Sequence, residues 1–434
     1  MSLVRTPAAT SGSPLLVLDT VRNVLVAALI VAIPFAFHSS YVVDVHSPFL
    51  EHAYLGETVV GPIEFVLLLL AVASTPLLLR RTSYRGWPIG LIGAVALTAV
   101  TLILVLAGGP TPEGVVRVVR FAGIAGAIAT IGRMSPDLLR KAVMWPITGT
   151  IALQAAVALA QTFVWHNGRE NGITDRFDHV WTQGYGTIGA YALATILVVA
   201  IAIVLSAGAY QRLHPLMWVS VVLASAAIAT TFGRSGALAV FAIAGLYGIA
   251  WVLKRKRNYL ASSVAAFLPM SIGIAITWDG WSVRASETAA GQQWGREDLL
   301  QRAYEVIGTS PIFGVGPGKF APSLARLGLT PVDISIVHNV PVLVAAEYGV
   351  PVGIMFTAWL GLLGVAAIFT SVRAAAVFVA LVPYLIFNHN PIVYGYGIAV
   401  LGLWLAILDY HRAHRDGHAP GAETDVTPAV AATA

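Results

Sequence analysis

Residues 87–108 read WPIGLIGAVALTAVTLILVLAG, a run of apolar and small residues without a single charge. A helix rises about 1.5 Å per residue, so roughly 20 such residues cross the hydrocarbon core of a bilayer. This run is long enough. Lipid offers the backbone no hydrogen-bond partners, which restricts spanning segments to helices or a closed barrel. Continuous apolarity without strand-like alternation selects helices.

The rest of the chain follows the same pattern. It is 57% hydrophobic and only 11% charged, against roughly 25% charged in soluble domains. These proportions define an integral membrane protein. Cysteine is absent, which excludes disulfides, thiolate nucleophiles and cysteine metal sites. Met1 to Asp19 lacks the layout of a signal peptide with a small-residue cleavage site, so the first apolar run is expected to stay as a span.

Long apolar runs lie near residues 23–43, 61–79, 87–108, 114–132, 142–165, 185–206, 216–232, 235–253, 259–278, 351–369, 374–388 and 392–409. The expectation is an all-α polytopic membrane protein of about twelve spans with both termini on one side. Basic residues fix the orientation, because Lys and Arg are retained in the cytoplasm. With the N-terminus inside, sixteen of the 26 basic residues fall on inner segments, including Arg80, Arg81, Arg85 and the run Lys254 to Arg257. Both termini are therefore expected in the cytoplasm.

Four regions result: residues 1–278 with nine spans, a large outer loop at 279–337, a re-entry helix and three spans at 338–409, and a disordered tail at 410–434. The outer face also receives a first loop with Asp44, His46, Glu51, His52 and Glu57, and a middle loop from His166 to Gly184. Within the large loop, Arg296 to Gly308 reads as one amphipathic helix, with Leu299, Leu300, Ala303, Val306 and Ile307 on one stripe. That stripe suits either the lipid surface, near Trp278, Trp281 and Trp294, or packing within the loop.

Arginine is costly at membrane depth and needs a partner there. Arg117 and Arg120 share one helical face near the outer end of a span. They bind a ligand, snorkel to headgroups, or pair with a carboxylate such as Glu64. Arg234 lies in the tight outer turn Thr230-Thr231-Phe232-Gly233-Arg234-Ser235-Gly236, where small and hydroxyl residues leave room for a phosphate. Arg296 opens the loop helix. His338 and Asn339 stand where the loop enters a helix running from Val340 to Tyr348. The positive end of that helix favours the uncharged ring, which accepts a proton, and Asp333 is an orienting candidate. The outer loops contain no Asp-x-Asp, His-x-x-x-His or Glu-x-x-His pattern, and the chain has no Walker loop or Gly-x-Ser-x-Gly elbow. Neither a metal nor a cofactor is expected.

Three motifs together resemble the O-antigen ligase and O-antigen polymerase family of bacterial membrane glycosyltransferases. Thr231-Phe232-Gly233-Arg234-Ser235-Gly236 is similar to the family's Ser-Arg-Gly turn, with Gly233 and Ser235 exchanged in type. Gly295-Arg296 followed by Ser310-Pro311-Ile312-Phe313-Gly314-Val315-Gly316-Pro317-Gly318 resembles its outer loop. His338-Asn339, with Glu347 and Gly349 downstream, resembles its His-Asn motif; Pro351 is inserted before Gly353.

The resemblance implies a GT-C-like fold and metal-independent, inverting transfer of a glycan from a polyprenyl (undecaprenyl) diphosphate to an acceptor hydroxyl on the outer face of the bacterial inner membrane. It assigns His338 as base and Arg234 and Arg296 to the diphosphate, with Arg117, Arg120 and Asn339 as further substrate contacts. Its partners would be the lipid-linked donor, a glycan or glycolipid acceptor such as lipid A-core, and membrane lipids, with no nucleic acid. Ligase and polymerase differ only in the acceptor, and the His-Asn spacing favours ligase. A transporter of a lipid-linked or anionic substrate is the rival class.

Overall fold

The computed structural model describes residues 14–35, 41–44, 57–79, 88–164, 190–208, 212–289, 294–328, 337–387 and 390–414. Helices dominate them. In order they are α1 (Pro14–Ala32), α2 (Pro62–Leu79), α3 (Ile89–Gly108), α4 (Pro112–Ile131), α5 (Pro136–Leu139), α6 (Trp145–Phe163), α7 (Ala190–Ala207), α8 (Pro215–Ala229) and α9 (Arg234–Lys254). There follow α10 (Arg257–Ile276), α11 (Trp278–Ala289), α12 (Trp294–Thr309), α13 (Phe320–Arg326), α14 (Val340–Tyr348), α15 (Val350–Thr370), α16 (Val372–Phe387), α17 (Asn390–Val393) and α18 (Gly395–Ala413). A π-helical stretch, Arg140–Met144, joins α5 to α6.

Among the described residues, six helices are long and apolar enough to cross a membrane: α3, α4, the continuous Pro136–Phe163 unit, α9, α10 and α15. Shorter apolar helices cover Pro62–Leu78, Ala192–Ala207, Pro215–Ala229 and Val372–Phe387.

The centre of the bundle is α4, packed against α2, α3 and α18. Its residues from Phe121 to Ile131 are nearly all buried, including Gly126, where an added Cβ would lie 2.7 Å from the Leu70 carbonyl oxygen. Glycine is needed at this crossing because the α2 backbone occupies the space of a side chain. Along α18 burial is almost complete, and Trp404 donates its indole N–H to the Val377 carbonyl at 2.6 Å. Asp409 closes the other end of this packing. Its carboxylate accepts from the Gly90 and Leu91 N–H groups at 3.1 and 3.0 Å, satisfying donors that every helix start leaves open.

Several expectations need correction. The first helix runs from Pro14 to Ala32, not from residue 23 to 43, and a 3-10 turn at Ile33–Phe35 follows it. Pro34 explains the stop, since it lacks an N–H and clashes with the preceding turn. A short antiparallel pair, Tyr41–Asp44 with Glu57–Val60, accompanies the helices. Its strands carry Asp44 and Glu57; His46, Glu51, His52 and the 166–184 loop lie outside the described residues. Among the described residues, α11, α12 and α13 fall in the stretch expected as the large outer loop, where one helix was expected.

The amphipathic stripe of α12 also finds its partner. Leu299, Ala303 and Val306 are buried, and α12 packs against α14 and α13. Packing within the protein therefore covers this face. At the C-terminus, His411 belongs to α18 and is buried, because the helix continues past the apolar run and His414 stacks on Tyr410 with ring centroids 4.0 Å apart. The remaining tail, residues 415–434, lies outside the described part.

Candidate functional site

The start of α4 builds a charged cluster. Thr111 caps the helix by accepting the Gly114 N–H at 3.1 Å, and Pro112 follows at the first helical position. Glu113 then stands four residues before Arg117, the spacing that brings two side chains together on one helical face. Arg117 donates Nε–H to Glu113 Oε1 at 2.9 Å and a second N–H to Glu347 at the end of α14. Arg120 donates to Glu64 of α2 through Nε and Nη2 at 2.9 and 2.8 Å, and to the Val393 carbonyl at 2.8 Å. Its Nη1 lies 3.5 Å from Glu113 Oε1.

Both guanidinium groups are buried, as are Glu64 and Glu347. Taking such charges out of water is tolerated only with partners of this quality. The cluster joins α2, α4, α14 and the segment before α18. Among the residues named, three carboxylates face two guanidinium groups.

The glycine-rich loop is fastened to the same cluster. Gly318 N–H donates to Glu347 Oε1 at 3.1 Å. Val315 and Gly316 donate to the Ala346 and Glu347 carbonyls at 2.9 Å each, and Val350 donates to the Pro311 carbonyl at 2.8 Å. These bonds seat residues 311–318 on the C-terminal end of α14. Gly349, at φ 92°, makes the turn into α15, and any side chain there would collide with the Ile312 carbonyl. Two further ties run to α3: Thr101 donates to the Tyr348 hydroxyl at 3.3 Å, and Lys319 Nζ donates to the Gly108 carbonyl at 3.0 Å. Burial pushes the Glu347 carboxyl above its ordinary range, opposed by the Arg117 guanidinium beside it.

A second group of candidates stands at helix starts. Asn339 is the cap of α14, its Oδ1 accepting the Val342 N–H at 3.0 Å. That bond fixes the point at which the chain turns into the helix, and half-buried His338 sits immediately before it. Arg234 is the first residue of α9 and is exposed. The turn before it is held unusually: Phe232 adopts φ 50°, a left-handed conformation that bulky residues rarely take. Its ring packs edge-on against Trp281 with centroids 6.0 Å apart, and Trp281 donates its indole N–H to the Ala229 carbonyl at 3.0 Å. The start of α11 thus clamps the turn that presents Arg234.

Arg296 lies in the first turn of α12, with its side chain outside the described part; Asp333 is also outside it. The elements carrying the candidates are neighbours, because α16 packs against both α9 and α14 while α12 packs against α14. Of the sequence candidates, Arg117 and Arg120 come together in one cluster, with Glu64 as the partner of Arg120. Glu113, Glu347 and Lys319 had not been assigned a role. The Glu113 to Arg117 spacing was a usable signal, whereas the Glu347 contact crosses 230 positions.

A bundle of long apolar helices with a buried guanidinium–carboxylate cluster, fastened to a polar loop, defines a multi-pass membrane protein. Residues 219–357, about a third of the chain, match the family model described as O-antigen ligase, and this match supports the O-antigen ligase/polymerase family. The family implies a glycosyltransferase-type membrane enzyme of O-antigen assembly, acting on a lipid-linked glycan and an acceptor. None of the curated proteins matches the chain.

Proposed function

We propose that this protein transfers a glycan from a polyprenyl diphosphate to an acceptor hydroxyl at the outer face of the bacterial inner membrane, as an O-antigen ligase. Its termini are cytoplasmic in this reading and its chain crosses the bilayer about twelve times. The observation that carries it is the family match over residues 219–357. That segment contains Arg234, Arg296 and His338 together with the loop bonded to α14.

Each residue then has a distinct task. His338 accepts the acceptor's hydroxyl proton while the oxygen attacks the anomeric carbon. The bond from that carbon to the diphosphate oxygen breaks, and polyprenyl diphosphate leaves with the electron pair. Attack opposite the leaving group inverts the anomeric centre. Arg234 and Arg296 hold the diphosphate, since a guanidinium keeps its charge and matches phosphate with two parallel donors. Asn339 positions His338 through its cap, and the Arg117–Glu347 and Arg120–Glu64 pairs position the helix and loop around it.

The lipid half of the donor has a suitable path. A wholly apolar groove of about 400 Å³ runs between α6, α8 and α10, lined by Phe163, Ala226, Leu268 and Ile276 among others. It lies at the end of α8 that leads into the Thr230–Arg234 turn, so a prenyl chain in the groove would bring its diphosphate towards Arg234. The test is to incubate purified protein with a lipid-linked oligosaccharide and an acceptor glycolipid. The enzyme reading requires a new covalent product and an equal amount of polyprenyl diphosphate. Movement of the intact donor across a vesicle membrane with neither product would mean a transporter.

A further inference from the structure

At the end of α4 remote from Arg117, about 20 Å along the axis at 1.5 Å per residue, a second polar site opens between α1, α2, α4 and α5. It is a cavity of about 330 Å³, lined by Asp19, Arg22, Asn23, Thr130 and Arg133, with Leu18, Pro76, Leu77, Met134 and Leu138 around them. Nothing in the proposed transfer uses it. Arg22 is buried and reaches the Ala73 carbonyl at 3.3 Å, while Arg133 reaches the Leu77 carbonyl at 3.4 Å. Both guanidinium groups are therefore anchored over the last turns of α2, where carbonyls collect partial negative charge.

Among the residues that line it, the cavity carries more positive than negative charge. Two guanidinium groups line it against one carboxylate, Asp19, which pairs with Arg22 but is itself exposed. An exposed carboxylate is a weak partner, screened by water, and an incoming phosphate can share or take over its place. Apolar side chains sit beside the two cations, as a lipid that is charged at one end and oily at the other requires. In sequence, Arg80 and Arg81 follow α2 directly. With the basic segments inside the cell, this end of the bundle faces the inner leaflet, where basic pockets between spanning helices bind anionic headgroups.

We infer that this cavity binds the phosphodiester headgroup of an anionic glycerophospholipid from the cytoplasmic leaflet, with Arg22 and Arg133 on the phosphate and Asn23 and Thr130 on the polar remainder. The headgroup bridges α1, α2 and α4 and so braces the inner end of the helix whose outer end carries Arg117 and Arg120.

The full-length protein in neutral detergent is titrated with phosphatidylglycerol, with phosphatidylcholine of the same chains, and with inorganic phosphate, and its Tm is followed. Phosphatidylglycerol alone should raise Tm. Arg133→Gln should weaken the apparent affinity about tenfold, as expected for one charge-assisted contact. Leu138→Trp, which fills the cavity and leaves both cations intact, should abolish the shift and serves where an arginine variant does not fold. An equal rise with phosphatidylcholine, an equal rise with inorganic phosphate, or an unchanged response in Leu138→Trp would each overturn the assignment. His338→Ala should keep the lipid response, so this inference and the transfer reading fail separately.

Discussion

Two sets of candidate residues in this protein have opposite surroundings. Arg117 and Arg120 are buried and held by Glu64, Glu113 and Glu347, whereas Arg234 is exposed at the first position of α9 and His338 is half-buried just before the cap of α14. The first set brings α2, α4 and α14 together. The second stands where a ligand can approach. Sequence position alone does not separate these surroundings; burial and the carboxylates opposite Arg117 and Arg120 do.

The largest expected effect tests the open set. Replacing His338 by Ala should lower glycan transfer about 10²- to 10⁴-fold, the usual contribution of a positioned base, with folding and insertion unchanged. Near-normal transfer in a purified assay would remove His338 from that role. Next comes the closed set. Glu347→Ala or Arg117→Ala breaks the buried Arg117–Glu347 pair from one side and should cost about 3–5 kcal/mol of stability, measured by thermal or denaturant unfolding. The double variant Arg117→Met/Glu347→Leu should recover much of that loss. Full stability in the single variants together with lost transfer would reverse the comparison and make Arg117 a substrate contact.

Smaller effects sharpen the contrast. Arg234→Lys replaces a fork by a point charge and should raise the KM for the lipid-linked donor about tenfold without changing Tm. A fall in Tm with KM unchanged would give Arg234 a structural role. Least affected should be Asn339→Ala, which removes a helix cap and should cost about 1 kcal/mol, while Asn339→Asp keeps the cap and the stability. A large loss of transfer in Asn339→Asp would point to direct contact with substrate.

Parts of the site were legible in sequence because their causes are local. The helix after His338 occupies Val340–Tyr348 as expected, since Asn339, Pro341 and Gly349 mark its limits. The pairing of Glu64 was one reading among three, and the structure brings it to Arg120. Glu347 stood out only as a motif residue. Its contacts with Arg117 and Gly318 depend on how α14 returns to the start of α4, and no periodicity records that. For α12 the apolar stripe was visible but its partner was not, because lipid and protein cover the same stripe equally well in a one-dimensional reading. The helix ends at α1 and α18 were misjudged for a related reason: apolarity marks the lipid-facing length, whereas Pro34 and the stacked Tyr410 and His414 decide where those helices end.

Sequence by itself determined that the chain is a membrane protein made mainly of helices, and where most of those helices lie, because lipid compels each apolar run to satisfy its own backbone hydrogen bonds. Tertiary structure alone decided which arginines are committed to carboxylates and which remain at the surface. That decision comes from side chains far apart in the chain meeting in a medium of low dielectric, where a charge is held by whatever group stands opposite it.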